Sequence, residues 1–249
     1  MTNLLILGGT TEANALAKIL AEHGIPAIYS YAGRVDNPRP QPLPVRVGGF
    51  GGVEGLARYL KDHAITHVVD ATHPFAAQMS ANAIAACREA EVPLAALTRP
   101  AWRAQGKDRW QHVSDIDAAV TALTGPARRV FLAVGRMHLE EFAAQPQHRY
   151  LLRLVDEPYT LTLPNCDVIV SRGPFTEAGD RALIQQYDIE LVVSKNSGGT
   201  GARAKLDAAR ALGVPVLMID RPTLPQRTEL SSVTQVLGWL AHPGVNLGV

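Results

Sequence analysis

The chain has 249 residues, of which 47% are hydrophobic and 19% charged, the balance of a folded globular protein. Its 24 basic and 23 acidic side chains leave a formal net charge of +1, which argues against the strongly basic field of a nucleic-acid binder. No run approaches the ~18 uninterrupted apolar residues of a membrane span. Residues 1–9 lack the basic region and small-residue cleavage site of a secretory signal. Cys87 and Cys166 stand in apolar runs without a CxxC partner and read as buried thiols of a reducing compartment. The expectation is a cytoplasmic protein whose partners include neither nucleic acid nor membrane.

At roughly 150 residues per domain, the length accommodates one large domain or two small ones. Short apolar runs alternate with helical patterns, the signature of parallel strands joined by helices. Leu4 to Leu7 ends in Gly8-Gly9. Ala13, Leu16, Ala17, Ile19 and Leu20 come next at helical spacing and are closed by Gly24. Ala27 to Ser30 reads as a second strand, before a proline-rich loop from Gly33 to Pro44. Val45 to Val47, a helix over Val53 to His63, and His67 to Asp70 come after it. A long helix is expected to open at Pro74, since proline is harmless at a first helical position. Leu94 to Leu97 completes a five-strand unit, and Arg99 to Gln111 breaks the rhythm as a connection. A second unit repeats the alternation through Val130–Val134, Leu151–Val155, Val168–Val170, Leu191–Val193 and Val216–Ile219. Helical patterns cover Glu177 to Tyr187 and Ala202 to Leu212, with Gly213 as the stop. The reading is two doubly wound, parallel-sheet α/β domains, 1–97 and 98–249, with a cleft between them.

In open parallel sheets ligands bind outside the carboxyl ends of the strands. Those positions hold Gly8-Gly9-Thr10-Thr11-Glu12, Ser30 to Arg34, Gly48-Gly49-Phe50, Asp70-Ala71-Thr72-His73, Arg99, Gly135-Arg136, Ser171-Arg172-Gly173, Ser194 to Gly199 and Asp220-Arg221. Glycines, hydroxyls and cations dominate, as polyanionic ligands require. Gly8 to Glu12 suits a pyrophosphate at a helix N-terminus, although Thr10 stands where GxGxxG has its second glycine. The plain alternative is a turn that only joins strand to helix. No acid ends the second strand, and Ser30 with Arg34 suits a ribose 2′-phosphate, hence NADP; the alternative is a solvated Arg34. His73 comes after a central strand, where a nicotinamide would lie, but equally fits a capping or packed histidine.

Other chemistries are not encoded. Ser197 to Lys205 fails the GxxxxGK[ST] pattern, because Ala204 and Leu206 replace its glycine and hydroxyl. No HExxH motif offers a metal site, and no GxSxG elbow marks a hydrolase.

Several segments together resemble the precorrin-6A reductase and cobalt-precorrin-6A reductase family of cobalamin biosynthesis. They are LLILGGTTEA at 4–13, VVDATHPFA at 68–76, LTRPAW at 97–102 and VFLAVGR at 130–136. SRGPF at 171–175, SKNSGGTGARAKLDAAR at 194–210 and PVLMIDRP at 215–222 complete the set. The resemblance implies a two-domain Rossmann-like fold and NADPH-dependent reduction of one macrocycle double bond of precorrin-6A, giving precorrin-6B. NADPH is then expected on the first domain at Gly8, Gly9, Thr10, Thr11, Glu12, Ser30, Arg34, Gly49, Phe50, Ala71, Thr72 and His73. The carboxylated tetrapyrrole is expected at Arg99, Arg136, Ser171, Arg172, Lys195, Asn196, Ser197, Gly198 and Gly199. His73, Lys195 or an ordered water would supply the proton, and transient contacts with neighbouring pathway enzymes are allowed. Two readings from other classes share the same glycines and cations: a non-catalytic tetrapyrrole carrier and a two-domain sugar-nucleotide transferase.

Overall fold

The structure, a computed structural model, describes residues 2–33, 38–156, 161 and 163–241. Its first strand shows why the sheets form. Strand β1 (Leu4–Leu7) is buried along its whole length, as expected of a parallel strand covered on both faces. Leu4 and Ile6 point into one core with helix α1 (Thr11–Glu22), while Leu5 and Leu7 point into another. That alternation is the two-residue period of an extended chain. Helix α1 presents Ala13, Leu16, Ala17 and Leu20 as one buried stripe.

The chain continues through β2 (Ala27–Tyr31), β3 (Val45–Val47), α2 (Gly52–Asp62), β4 (His67–Asp70), α3 (Ala77–Glu89) and β5 (Leu94–Leu97). Helices α2 and α3 fill the second core with Leu56, Ala57, Leu60, Ala83, Ala86 and Cys87. Helix α3 opens at Ala77 rather than at Pro74. The amide of Ala76 bonds the carbonyl of His73 at 2.7 Å and that of Phe75 bonds His73 Nδ1 at 3.2 Å, so a turn occupies the positions expected to be helical.

The later elements are β6 (Trp110–Val113), α4 (Ile116–Ala122), β7 (Arg129–Ala133), two short 3-10 turns at 136–138 and 141–144, and β8 (Arg149–Leu154). Then come β9 (Cys166–Val170), α5 (Glu177–Gln186), β10 (Leu191–Lys195), α6 (Ala204–Leu212), β11 (Val216–Ile219), β12 (Thr228–Leu230) and α7 (Val233–Ala241). Helix α6 stops at Gly213, whose φ of 68° is left-handed. Two all-parallel six-stranded sheets result, ordered β12-β5-β4-β1-β2-β3 and β6-β11-β10-β7-β8-β9.

The division of the chain differs from the expected boundary near residue 97. One unit comprises the described residues through Arg99 together with those from Thr223 onward; the other is Pro100–Pro222. The C-terminal segment returns because β5 offers a free edge, which β12 completes in parallel register from Ala95 to Leu97. Helix α7 then buries Val236 in the α1 core. Likewise Arg99 to Gln111 is not wholly a connection, since β6 pairs with β11.

The second unit buries charge. Arg153 on β8 and Asp180 on α5 form an ion pair whose side chains are 8% and 3% exposed. The Arg153 guanidinium also lies 3.7 Å over the Phe175 ring. Nearby, Lys205 of α6 donates to the carbonyl of Ala202 at 2.6 Å and sits 5.1 Å from the Trp102 ring. Burial, reinforced by Arg153 and opposed by Asp180, pulls its pKa down to about 7. An amine whose folded pKa lies below its unfolded value of ~10.4 contributes most when both states are neutral. Its contribution therefore falls as the pH drops from about 10 to about 7. We expect Lys205→Met to flatten that part of the stability profile, read from thermal unfolding at a series of pH values; an unchanged profile would contradict the burial argument.

Candidate functional site

In the first sheet β1 leads outward through β2 to β3, and the chain then returns to β4 on the other side of β1. Ligands of open α/β sheets bind at such a switch point. Two turns meet there: residues 8–12 after β1, and residues 71–76 after β4.

The first turn is shaped by Tyr29. A side-chain carbon on Gly8 would lie 2.2 Å from the Tyr29 ring, so only glycine fits. The Tyr29 hydroxyl accepts from the amide of Gly9 at 2.9 Å and donates to Asn14 Oδ1 at 2.8 Å; burial raises its pKa. Gly9 has a φ of +113°, and a side-chain carbon there would face open space. Thr10 caps α1 by accepting from the amide of Ala13 at 3.1 Å and donates to the carbonyl of Ala71 at 2.7 Å. Its hydroxyl therefore ties the two turns together. The amides of Thr11 and Glu12 belong to the first helical turn, where no intrahelical acceptor exists. They and the open face of Gly9 fit an anionic group of pyrophosphate size.

Glu12 places a carboxylate in that first turn, and Arg99 pairs with it at 2.7 Å. Arg99, expected among substrate cations, thus neutralises an acid beside the anion-binding turn of its own unit. Thr11 donates to the same carboxylate at 3.0 Å.

The second turn hangs on Asp70. Its Oδ1 accepts from the amide and the hydroxyl of Thr72 at 3.1 and 2.7 Å. Its Oδ2 accepts from Ser80 and from Arg227 Nη1, each at 2.6 Å. The Asp70 and Arg227 side chains are 2% and 9% exposed. His73 comes next and is exposed; because Nδ1 accepts from Phe75, the neutral ring carries its proton on Nε2.

Farther along the edge, Ser30 Oγ accepts from Arg46 at 2.7 Å, and Arg46 also donates to the carbonyls of Gly48 and Gly49. The Phe50 ring lies 3.7 Å beneath its guanidinium. Arg34 falls outside the described residues.

The second sheet has its own switch point, between β7 and β10. Arg136 is joined to the first of these strands through Gly135, and Lys195 ends the second. Asn196 is buried, and both ends of its amide are taken by the backbone of Trp102, at 2.8 and 3.1 Å. It therefore holds the loop in place instead of facing a substrate. Trp102 Nε1 donates to the carbonyl of Gly199 at 2.6 Å, and Arg221 donates to the carbonyls of Asn196 and Ser197 at 3.0 and 3.1 Å. A side-chain carbon on Gly198 would lie 2.2 Å from the carbonyl of Pro100. The loop's carbonyls are thus turned to the protein. Ser171 and Arg172 lie beyond the edge strand β9, and Arg172 pairs with Asp156 at 2.5 Å on the surface. Arg136 and Lys195 share the switch point, whereas Arg172 lies two strands away.

A model of the family described as precorrin-6x reductase CbiJ/CobK matches residues 3–241. The chain belongs to this family. It is 57% identical to the precorrin-6A reductase of Rhodobacter capsulatus over 98% of each chain, and 45% identical to that of Rhodococcus erythropolis over the same shares. The cobalt-precorrin-6A reductase of Priestia megaterium is 29% identical over 96% of this chain and 98% of its own. A solved structure described as CobK precorrin-6A reductase superposes with a TM-score of 0.93 at 56% identity, covering both chains fully. These relatives bear out the resemblance carried by DATHPFA and SKNSGG, and the carrier and transferase readings give way to a reductase family.

Among the described residues of this reductase-family chain, no three His, Cys, Asp or Glu side chains gather to hold a metal ion, and no helix is long and apolar enough to cross a membrane. Sequence reasoning misses Arg46 and Arg227 and gives Asp70 and the strand-end Arg221 no role. Arg46 becomes visible only once β3 is set beside β2; Arg227 is 157 residues from the carboxylate it meets. Asp70 is in view as a strand-end residue, and the hydroxyls of Thr72 and Ser80 nearby are the available signal. Removing Asp70 leaves the buried Arg227 guanidinium with the exposed Glu229 in place of a buried acid, which costs up to about 3–5 kcal/mol. Asp70→Ala should lose that much in denaturant unfolding, and the double variant with Arg227→Ala should lose less than the two single losses combined.

Proposed function

We propose that the chain reduces a macrocycle double bond of precorrin-6A, with NADPH bound to the unit that contains β1. The observation that carries this reading is the switch-point crevice of the first sheet. A glycine turn with an open face, the first-turn amides of α1 and the Thr72-His73 turn lie side by side there, in a chain of a reductase family. When bound, NADPH supplies a hydride. The protein's own task is to orient the cofactor and the substrate and to exclude competing reactions.

Gly9 and the amides of Thr11 and Glu12 take the pyrophosphate. Arg99 removes the repulsion that the Glu12 carboxylate would otherwise exert on it, and Thr10 keeps the turn in register with Ala71. Thr72 and His73 border the nicotinamide position. The acetate and propionate carboxylates of the tetrapyrrole meet Arg136, Lys195 and the amides of Gly198 and Gly199 in the other unit. The carbonyls of Asn196, Ser197 and Gly199 are turned away into bonds with Arg221 and Trp102, which favours an acid over a donor at this loop. His73 Nε2 or Lys195 Nζ holds the proton that is added after the hydride. Stronger similarity to precorrin-6A reductases than to their cobalt-precorrin counterparts supports a metal-free substrate.

Purified chain given precorrin-6A should oxidise one NADPH per substrate; unchanged nicotinamide absorbance would overturn the reading. Gly9→Val fills the open face of the turn and should weaken NADPH binding, measured by calorimetry, by about tenfold or more, while circular dichroism reports an intact fold. Lys195→Ala and Arg136→Ala should raise KM for the tetrapyrrole and leave NADPH affinity near wild type.

A further inference from the structure

Strand β3 is a three-residue edge strand whose middle residue is a cation. Parallel register sets Arg46 directly beside Ser30 of β2. Strand β2 is in turn the neighbour of β1, from which the anion-binding turn springs. Arg46 therefore stands along the same carboxyl edge as the glycine turn. Its guanidinium is fixed on several sides. Nη1 donates to Ser30 Oγ at 2.7 Å and to the Gly48 carbonyl at 2.9 Å, and Nη2 donates to the Gly49 carbonyl at 3.0 Å. Phe50 covers one face at 3.7 Å, with the Tyr59 ring at 5.3 Å.

All of these partners are neutral. Among the described residues, no carboxylate offsets the charge of Arg46, whereas Arg99, Arg153, Arg172 and Arg227 each have an acid. Among the described residues, acceptors engage three of the five N–H groups on the guanidinium. Ser30 accepts from Arg46, so its own hydroxyl proton is left to donate. Stacking and carbonyl bonds fix the side chain before any ligand arrives, which removes most of the ordering cost of a long residue. A neutral donor would suffice to hold two loop carbonyls. An immobilised guanidinium beside a hydroxyl, with no counter-charge among the described residues, is built for an anion that arrives from outside.

We propose that Arg46, with Ser30, receives the ribose 2′-phosphate of the dinucleotide and is the residue that selects NADPH over NADH. The inference rests on the reading that this unit holds the cofactor. The end of β2 is where dinucleotide folds read the ribose: an acid there accepts from a 2′-hydroxyl, and a cation accommodates a 2′-phosphate.

The test titrates the full chain with adenosine 2′,5′-bisphosphate and with 5′-AMP, each monitored by calorimetry. The wild-type chain should prefer the bisphosphate. Arg46→Gln and Arg46→Met, which retain packing on Phe50, should lower bisphosphate affinity about tenfold or more and leave 5′-AMP affinity nearly unchanged. Arg46→Lys, which restores the charge without the fork, should recover part of the loss. A bisphosphate preference that survives in both neutral variants overturns the role of Arg46 and leaves the cofactor reading standing. Equal loss of both nucleotides in the two neutral variants marks a merely structural residue and also overturns it. Equal affinity of the wild-type chain for the two nucleotides overturns the cofactor reading and the inference together.

Discussion

A single carboxylate, that of Asp70, is where the sheet end, the adjoining turn, α3 and the C-terminal return converge. Buried charge is tolerated only when its lone pairs are filled and its sign is answered. Asp70 meets both requirements with four donors drawn from three parts of the sequence: Thr72, Ser80 and Arg227. Thr72 is thereby held at the mouth of the switch point. Ser80 sets the first turns of α3, and Arg227 brings the segment that becomes β12 against the sheet. The geometry of the turn and the completion of the sheet are consequently coupled through one group.

The two sheets share one strand plan. In each, a central strand leads outward through two others, the chain returns to the far side, and a sixth strand closes the edge. The closing strand comes from opposite directions in the chain: β12 arrives after the whole second unit, whereas β6 precedes the other strands of its sheet. The two switch points carry different structures. After β1 a capped helix of twelve residues presents amides. After β10 a glycine loop is pinned by its carbonyls to Trp102 and Arg221, with cations at the adjacent strand ends. A dinucleotide phosphate suits the first arrangement and a rim of carboxylates the second.

Charge is managed locally throughout. Glu12 would repel a phosphate at the start of α1, and Arg99 cancels it. Arg153 is answered by Asp180 and by aromatic faces. Lys205, buried against the Ala202 carbonyl and an indole and beside the Arg153–Asp180 pair, loses affinity for its proton instead. Arg46 is held differently, by acceptors that carry no charge and by the face of Phe50.

Much of the fold is legible from local pattern. Buried parallel strands carry apolar runs: Leu4–Leu7 and Val216–Ile219 are apolar throughout, and Val68–Val69 and Leu191–Val193 form the cores of two more. Helix stripes and stops, such as Leu16 to Leu20 and Gly213, likewise depend only on near neighbours. The glycine turn after β1 and the ordered segments around DATHPFA and SKNSGG suffice to point to the family. Tertiary structure alone decides the rest. Strands β6 and β12 are short, polar and largely exposed, so their pattern is weak, and they exist because an open sheet edge offers backbone partners. The roles of Arg46, Arg99, Arg227 and Asn196 are set by side chains and backbone from distant positions. A residue's charge is written in the sequence, but whether that charge is cancelled is a matter of what the fold places beside it.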